Sequence, residues 1–598
     1  MPSYKAPIRE VLFLLNDVFE VERYSNLPGF SELTADTLQP MLEEAGKLSE
    51  GVLAPLNRIG DVEGCNRHPD GSVTTPKGFQ QAFQQYVAGG WMGVTAPEEF
   101  GGQALPHALN GIVMEFAFSA NHAFSMYSGL TQGAISALLS HASPDLKTAY
   151  VPNLVAGKWT GTMHLTEAHA GTDVGLSYTR AQRQSDGSYR VSGSKIFISA
   201  GEHDLAENII HLVLARTEGA PKGTKGLSLF VVPKFLPSSK EGSLTPNRVT
   251  CGSIEKKMGI HGNCTCVMNF DDATGWLVGA ENGGMPAMFT MMNHARLEVG
   301  HMATAFSEVA YQNAAAYAKE RLQGRSPSGP KFPDKPADPI IVHPDIRRSL
   351  TTIRAFTEAS RALTLSTALR NDVALRGKDA AAIQDAEDHL GLLTPVIKGF
   401  GSDRGFLSTV LAQQIYGGHG YIAENGMEQF VRDCRVTQIY EGANGIQALD
   451  LVGRKLRMDG GRAVRAYFKE VDAFLNQCVE DPDMSPYVTP TREALRRLQD
   501  ATDWIGGHGA KDPELAAYAA YDYMHLFGLV ALAHMWCLMV AAARRKLAEP
   551  GAAADPYLQA KLATGRFFVQ RMLPETESRL ASIRVGSAGA AEIPVELF

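Results

Sequence analysis

One carboxylate stands out by its setting. Glu441 lies in the run IYEGANGIQALDLVGRK, residues 439–455, between Tyr440 and Gly442. The mixed-charge stretch VRDCRVTQ precedes it, and a turn of small residues (Gly442, Ala443, Asn444, Gly445) follows before helical periodicity resumes. A side-chain carboxylate can act as a general base or acid. The commoner fate of a Glu before a Gly-rich turn is a solvated loop residue or a helix cap. Four further segments carry groups with chemistry in them. MHLTEAHAGTDVG, residues 163–175, brings His164, Leu165, Thr166 and Thr172. GSKIFISAGEH, residues 193–203, holds the aromatic–x–hydroxyl pair Phe197 and Ser199. NHARLEVG and YAKERLQG, within 293–324, hold Asn293, Arg296 and Arg321. QQIYGGHGYIAENG, residues 413–426, contains the QxxGG turn of Gln414, Gly417 and Gly418. Each has an ordinary alternative. Phe197 reads as strand core, Thr166 and Ser199 as strand-edge hydroxyls, Arg321 as a solvated helix charge, and the QxxGG turn as a helix C-cap. His164 and His419 are acid/base candidates by proximity to a motif alone, and His419 reads as packing or loop structure.

These residues sit on elements that the periodicity outlines. Residues 36–150 read as helical, with apolar positions at three- and four-residue steps. From about 159 to 280 short alternating or β-branched runs take over (SYRVSGSKIFIS, IIHLVLART, LSLFVVPK, CTCVMNF), as in a compact antiparallel β-domain. Helical periodicity returns at 285–325 and continues to 460, interrupted by the Pro-rich loop SPSGPKFPDKPADP, residues 326–339. A further helical region covers 461–583, broken at EDPDMSPYVTP, residues 480–490, and the tail VGSAGAAEIPVELF has no periodicity. The expected class is α+β, with an N-terminal arm (1–35), an N-terminal helical domain (36–158), a middle antiparallel β-domain (159–282), a helical-bundle catalytic domain (283–460) and an extra C-terminal helical domain (461–598). A β-module between helical domains excludes the alternating pattern of a doubly wound sheet.

Composition narrows the function classes. The chain has 598 residues, 44% hydrophobic and 20% charged, with a net charge of -8. That suits an ordinary multidomain soluble protein and argues against a polyanion partner. Seven scattered Cys give no disulfide framework and suit a reducing cytosol. Cys264 and Cys266 share one face of an alternating segment and read as core rather than a metal site. The N-terminus is not a signal peptide. Residues 526–543 lack formal charge, a length at the edge of a membrane span, but read as a buried helix of a C-terminal bundle.

Taken in order, the quoted segments resemble the acyl-CoA dehydrogenase family. The flanks, the 326–339 insertion and the extra C-terminal domain resemble its large bacterial branch. The resemblance implies FAD as cofactor, an acyl-CoA thioester as substrate and electron-transfer flavoprotein as acceptor. It assigns Glu441 as the base that removes the α-proton while a hydride leaves Cβ for the flavin. Burial beside an acyl chain and a flavin raises a carboxyl pKa towards a useful range. The family polarises the thioester carbonyl with the backbone N–H of this Glu and a flavin hydroxyl. One such donor is worth roughly 2.7–4 kcal/mol.

By the same resemblance Leu165 and Thr166 lie along the flavin ring, Thr172 reaches the pyrophosphate, and Phe197 and Ser199 flank the ring. Arg321 contacts the diphosphate from a neighbouring subunit, where Gln414, Gly417 and Gly418 hold the adenosine part. Arg296 positions Glu441 and the CoA moiety, Asn293 stands where relatives carry an acidic CoA contact, and Gly442 lines the substrate site. Ala443 stands where relatives have Thr, so that hydroxyl is not carried over. The acyl group implied is 3-methylmercaptopropionyl, of sulfoniopropionate breakdown, with medium- or long-chain fatty acyl groups as the alternative. A homodimer in the cytoplasm is expected, with no integral membrane segment and no nucleic acid. Two other functions are open: an acyl-CoA oxidase, and a nucleic-acid-binding relative. The latter needs a basic C-terminal face, and 461–598 offers only RRK at 544–546.

Overall fold

The computed structural model describes residues 2–31, 33–237 and 243–598. They form two compact units, one of Ala45–Glu298 and one of Met1–Glu44 with Val299–Phe598.

In the first unit the helices α1 (His107–Ala120), α2 (His122–His141) and α3 (Pro144–Val155) follow one another closely. The side chain of Asn121 caps α2 by accepting from Phe124 N–H at 3.1 Å, and Ser143 caps α3 with Pro144 in its first turn. Every residue of α1 from Ala108 to Ala120 is buried, as an all-round apolar helix requires. The helical expectation for 36–150 needs one correction. Asn66–Arg67 pairs with Val73–Thr74 as a short ladder. The sequence HPDG turns the chain there, with Gly71 at φ +88°.

Seven strands form the sheet: β1 (Trp159–His164), β2 (Arg180–Arg183), β3 (Tyr189–Ser199), β4 (Asn208–Arg216), β5 (Leu227–Pro233), β6 (Val249–Ile254) and β7 (Thr265–Val278). Their order is β6-β7-β3-β2-β4-β1, and β5 pairs both β4 and β7, which curls the sheet back on itself. Pairing is antiparallel, apart from β1 beside β4 and the single pair Arg180–Arg216 between β2 and β4. β4 is buried along nearly its whole length, so it reads as a continuous apolar run rather than an alternation. Ile210, Leu212 and Leu214 of β4 share a core with Ile135 and Leu138 of α2 and Tyr150 and Leu154 of α3. Gly161 permits that approach: a Cβ there would stand 2.4 Å from Cβ of Ala134.

Helix α4 (Gly284–Glu320) leads into the second unit, which holds α5 (Pro344–Arg376), α6 (Ala380–Ile415), α7 (Asn444–Gly453), α8 (Ser485–Gly509) and α9 (Pro513–Leu547). The Pro-rich 326–339 segment is non-helical, as expected. The carboxylate of Asp338 gathers it by accepting from the backbone N–H of Ser326 (3.0 Å) and Phe332 (2.8 Å). The break expected at 480–490 is shorter than the sequence suggests. α8 starts at Ser485, takes Pro486 into its first turn and continues through Pro490.

α9 is long and apolar enough to cross a membrane, and every residue from Tyr523 to Cys537 is buried within the bundle. It crosses α6 closely, since a Cβ on Gly528 would meet the Phe400 ring at 2.3 Å and one on Gly399 would meet Met524 Sδ at 2.3 Å. The N-terminal arm docks in this unit through Glu10, which accepts from Tyr557 OH at 2.6 Å and from Lys561.

Candidate active site

The sheet carries a defect where the sequence places Phe197. Between the pairs Lys195–Met268 and Ile198–Cys266, both Ile196 and Phe197 oppose the single residue Val267. This β-bulge re-aims side chains, as bulges beside functional sites do. Phe197 adopts φ +59°, a left-handed conformation that costs a non-glycine residue about 1–2 kcal/mol. Its ring is 60% exposed, so it is not the strand-core residue that sequence statistics favour.

Alongside the bulge runs the segment that follows β1. Ile196 N–H donates to the carbonyl oxygen of Thr166 at 2.9 Å. The ammonium of Lys195, wholly buried, donates to the carbonyl oxygen of Leu165 at 2.9 Å and to Glu167 Oε1 at 2.8 Å. Glu167 also accepts from Tyr178 N–H (2.7 Å) and Thr179 Oγ1 (2.6 Å). Burial alone would raise its carboxyl pKa; the Lys195 charge and the Lys195, Ser177 and Thr179 hydrogen bonds hold it at about 2.

Leu165, Thr166, Phe197 and Ser199 are thereby brought to one place, with Thr166 and Ser199 half-buried. Thr172 is exposed on the same loop, next to Gly171, whose Cβ position is 4.0 Å from Thr166 Cγ2. An outward aromatic ring flanked by hydroxyls, on a backbone anchored from beneath by Lys195 and Glu167, suits a planar aromatic ligand. His164 takes no part. It is fully buried, 2.8 Å from Thr162 Oγ1 and 2.9 Å from His211 Nδ1, and burial holds it well below the usual His range, hence neutral.

The second unit carries the turn of Glu441. Glu441 is half-buried at φ +55° and Gly442 follows at φ +87°. The turn is fixed through its carbonyls. Lys398 Nζ donates to Gly442 O at 2.8 Å, and Gln447 Nε2 donates to Glu441 O at 3.2 Å and to Gly442 O at 3.3 Å. Asn444 Nδ2 donates to Gly399 O (3.0 Å), Ser402 Oγ (2.9 Å) and Asp403 Oδ1 (2.7 Å), while its Oδ1 accepts from Lys398. Glu441 thus holds a sparsely populated backbone conformation on a loop whose Glu441 and Gly442 carbonyls are both tied down, an arrangement that clusters at functional sites.

The QxxGG turn ends α6. Tyr416 stacks on Tyr317 of α4 with ring centroids 4.0 Å apart, and Tyr317 OH lies 3.2 Å from His419 Nδ1, so His419 is loop structure. Gln414, Gly417 and Gly418 are exposed. Gly417 has φ +57°, and a Cβ on either glycine would meet nothing within 4 Å. Arg321, one residue past the end of α4, is half-buried, and among the described residues its guanidinium has no carboxylate partner. On the first unit's part of α4, Asn293 is exposed and Arg296 is buried, its guanidinium carbon 5.9 Å from the Phe289 ring centroid. Sequence reasoning missed Lys195, Glu167, Lys398, Asn444 and Gln447. Only Lys398 carried a signal, since it interrupts the largely apolar run LGLLTPVIKGF, whereas Lys195 follows the polar stretch SGS.

Comparisons with known proteins agree with this architecture. Family models match in order: "Acyl-CoA dehydrogenase, N-terminal domain" over 70–158, the "middle domain" over 162–273, the "C-terminal domain" over 282–456, and "Acetyl-CoA dehydrogenase C-terminal like" over 467–594. The chain is 40% identical to 3-methylmercaptopropionyl-CoA dehydrogenase of Ruegeria pomeroyi, over 97% of this chain and 98% of that one. It is 33% identical to the broad-specificity linear acyl-CoA dehydrogenase FadE5 of Mycobacterium tuberculosis, over 96% of each. In fold it is similar to an acyl-CoA dehydrogenase from Bacillus anthracis complexed with FAD, with a TM-score of 0.70 and 22% identity over 87% of this chain and 84% of that one.

Proposed function

The chain belongs to the acyl-CoA dehydrogenase family, oxidoreductases acting on CH–CH groups, and from that premise we propose that Glu441 is its catalytic base. The observation that carries this reading is the Glu441–Gly442 turn, left-handed at both residues and fixed by Lys398 and Gln447. The reaction desaturates an acyl-CoA thioester: Cα loses a proton, Cβ loses a hydride, and a Cα=Cβ double bond forms. Glu441 takes the proton, and its own backbone N–H stabilises the charge that develops on the thioester oxygen.

FAD supplies the two-electron sink for the hydride. Leu165, Thr166, Thr172, Phe197 and Ser199 would hold its ring and pyrophosphate. Arg321, Gln414, Gly417 and Gly418 would hold the far end of a second copy's cofactor, in a cytoplasmic homodimer. Asn293, Arg296 and Gly442 serve the CoA thioester. The chemistry follows the division into an arm (1–35), a helical domain (36–158), a β-domain (159–282), a catalytic bundle (283–460) and a C-terminal domain (461–598).

The preferred substrate is 3-methylmercaptopropionyl-CoA, giving 3-methylthioacryloyl-CoA, with electron-transfer flavoprotein as acceptor. The 40% relative supports it; the 33% relative supports a linear fatty acyl-CoA instead. Anaerobic titration of the yellow protein with 3-methylthiopropionyl-, butyryl- and octanoyl-CoA tests the choice. Fastest flavin bleaching by the first is expected, and bleaching only by the fatty acyl-CoAs would overturn it. Glu441→Gln should keep FAD and lose bleaching. Stoichiometric hydrogen peroxide in air would make the protein an oxidase.

A further inference from the structure

The turn of Glu441 is held by a residue that also holds the C-terminal helices. Asp403, on α6, accepts four hydrogen bonds. Its Oδ1 takes Asn444 Nδ2 at 2.7 Å and Gln438 Nε2 at 2.6 Å, residues that flank Glu441 three positions on either side. Its Oδ2 takes Tyr521 OH at 2.6 Å and His525 Nε2 at 2.9 Å, both from α9. One carboxylate oxygen therefore serves the turn and the other serves the C-terminal helix. Next to it, Arg404 pairs with Glu575 at 2.5 Å, and Arg579 joins the same Glu575 at 2.8 Å while bonding Asp522 at 2.6 Å. α6 is thus fastened to the C-terminal helices over the very residues, 398–404, that support the turn.

We infer that Asp403 is a positioning residue through which α9 sets the geometry of the Glu441 turn. The inference rests on the assignment of Glu441 as base. It gives the extra C-terminal helices a part in the reaction that bulk packing does not require. Burial alone would raise the Asp403 pKa, but the bonds from His525, Tyr521 and Gln438 hold it at about 2, so it is an anionic acceptor in all ordinary conditions. Burial keeps His525 below the usual His range. Its Nδ1 has no partner among the described residues, so the neutral ring carries its proton on Nε2, facing Asp403. Removing both α9 donors leaves Asp403 free to rotate towards solvent and releases Asn444 and Gln438 with it. A displacement of about 1 Å at a reacting group costs up to roughly a hundredfold in rate.

The test is the double substitution Tyr521→Phe with His525→Leu in the full-length holoprotein. The expected result is unchanged FAD content, KM within about twofold of wild type, and anaerobic flavin bleaching slowed roughly ten- to a hundredfold. The kinetic isotope effect with α-dideuterated acyl-CoA should rise, because proton removal becomes more limiting. His525→Gln, which keeps an N–H donor, should recover most of the rate. A merely structural role would lower Tm and leave the bleaching rate and isotope effect unmoved, and that result overturns the inference. Should the double variant fail to accumulate, Tyr521→Phe alone decides. It keeps a ring that is 41% exposed, and wild-type bleaching by it overturns the coupling. Glu441→Gln runs beside these: undiminished bleaching there removes the base assignment and the coupling with it. Loss of bleaching there, with wild-type rates in the α9 variants, removes the coupling alone.

Discussion

The ammonium of Lys398 lies 2.8 Å from the carbonyl oxygen of Gly442 and 2.8 Å from Oδ1 of Asn444, so one buried cation on α6 clamps two points of the turn that follows Glu441. Replacing it leaves two acceptors short of their charged donor. Lys398→Met should lower stability by roughly 1.5–3 kcal/mol, the range for hydrogen bonds to charged groups. It should also slow flavin bleaching. Denaturant unfolding alongside stopped-flow bleaching checks both, and a variant as stable as wild type would show that the clamp contributes nothing.

Phe197 presents its ring outward from a bulge, so it adds little to packing. Phe197→Ala should leave the Tm of the FAD-free protein nearly unchanged. It should weaken FAD binding roughly two- to tenfold, the worth of one aromatic stacking contact, whereas Phe197→Trp should tighten it. Flavin fluorescence titration of the apoprotein reads this. A fall in apoprotein Tm with unaltered FAD affinity would make Phe197 a packing residue.

Glu167 gives the fold a signature at low pH. Its carboxyl is held at about 2 against an ordinary 4.5, so folding favours the ionised form. The stabilisation is fully present above pH 4.5 and is lost as pH falls towards about 2. Glu167→Gln lacks this contribution at every pH. The Tm difference between wild type and Glu167→Gln should therefore be largest near neutrality and shrink as pH falls from about 4.5 towards 2; a constant difference would show that folding does not hold this carboxyl low.

Among the described residues Arg321 is a cation without a carboxylate partner, and Gly417 and Gly418 are exposed, with nothing within 4 Å of a Cβ placed on either. On the proposed two-copy cofactor site, Arg321→Ala should raise the FAD dissociation constant about tenfold, the loss of one charge-assisted hydrogen bond. Dilution that dissociates the dimer should release flavin in step. Sedimentation with absorbance at flavin wavelengths follows both, and flavin retained on a monomer would refute the shared site.

Local pattern carried much of this protein. Alternating and β-branched runs located the strands, three- and four-residue steps located the helices, and the 326–339 prolines marked a non-helical loop because proline removes donors regardless of context. Motif order carried the family. Other features were invisible because they depend on partners far along the chain. The bulge at Ile196–Phe197 exists only in the register between β3 and β7, residues whose neighbours lie about seventy positions away. The Lys195–Glu167 pair, the Lys398 clamp and the Asp403 bridge to Tyr521 and His525 join elements that no spacing rule connects. Pro486 does not mark a break because a proline in the first turn costs the helix no hydrogen bond, and where that turn begins is not legible locally. The amino-acid order alone determined which residues could do chemistry and on which kind of element each would sit, since those follow from side-chain type and backbone periodicity. Only the tertiary structure decided which of them are held, by what, and in which backbone conformation, since buried polar groups take whatever donors and acceptors the packing brings to them.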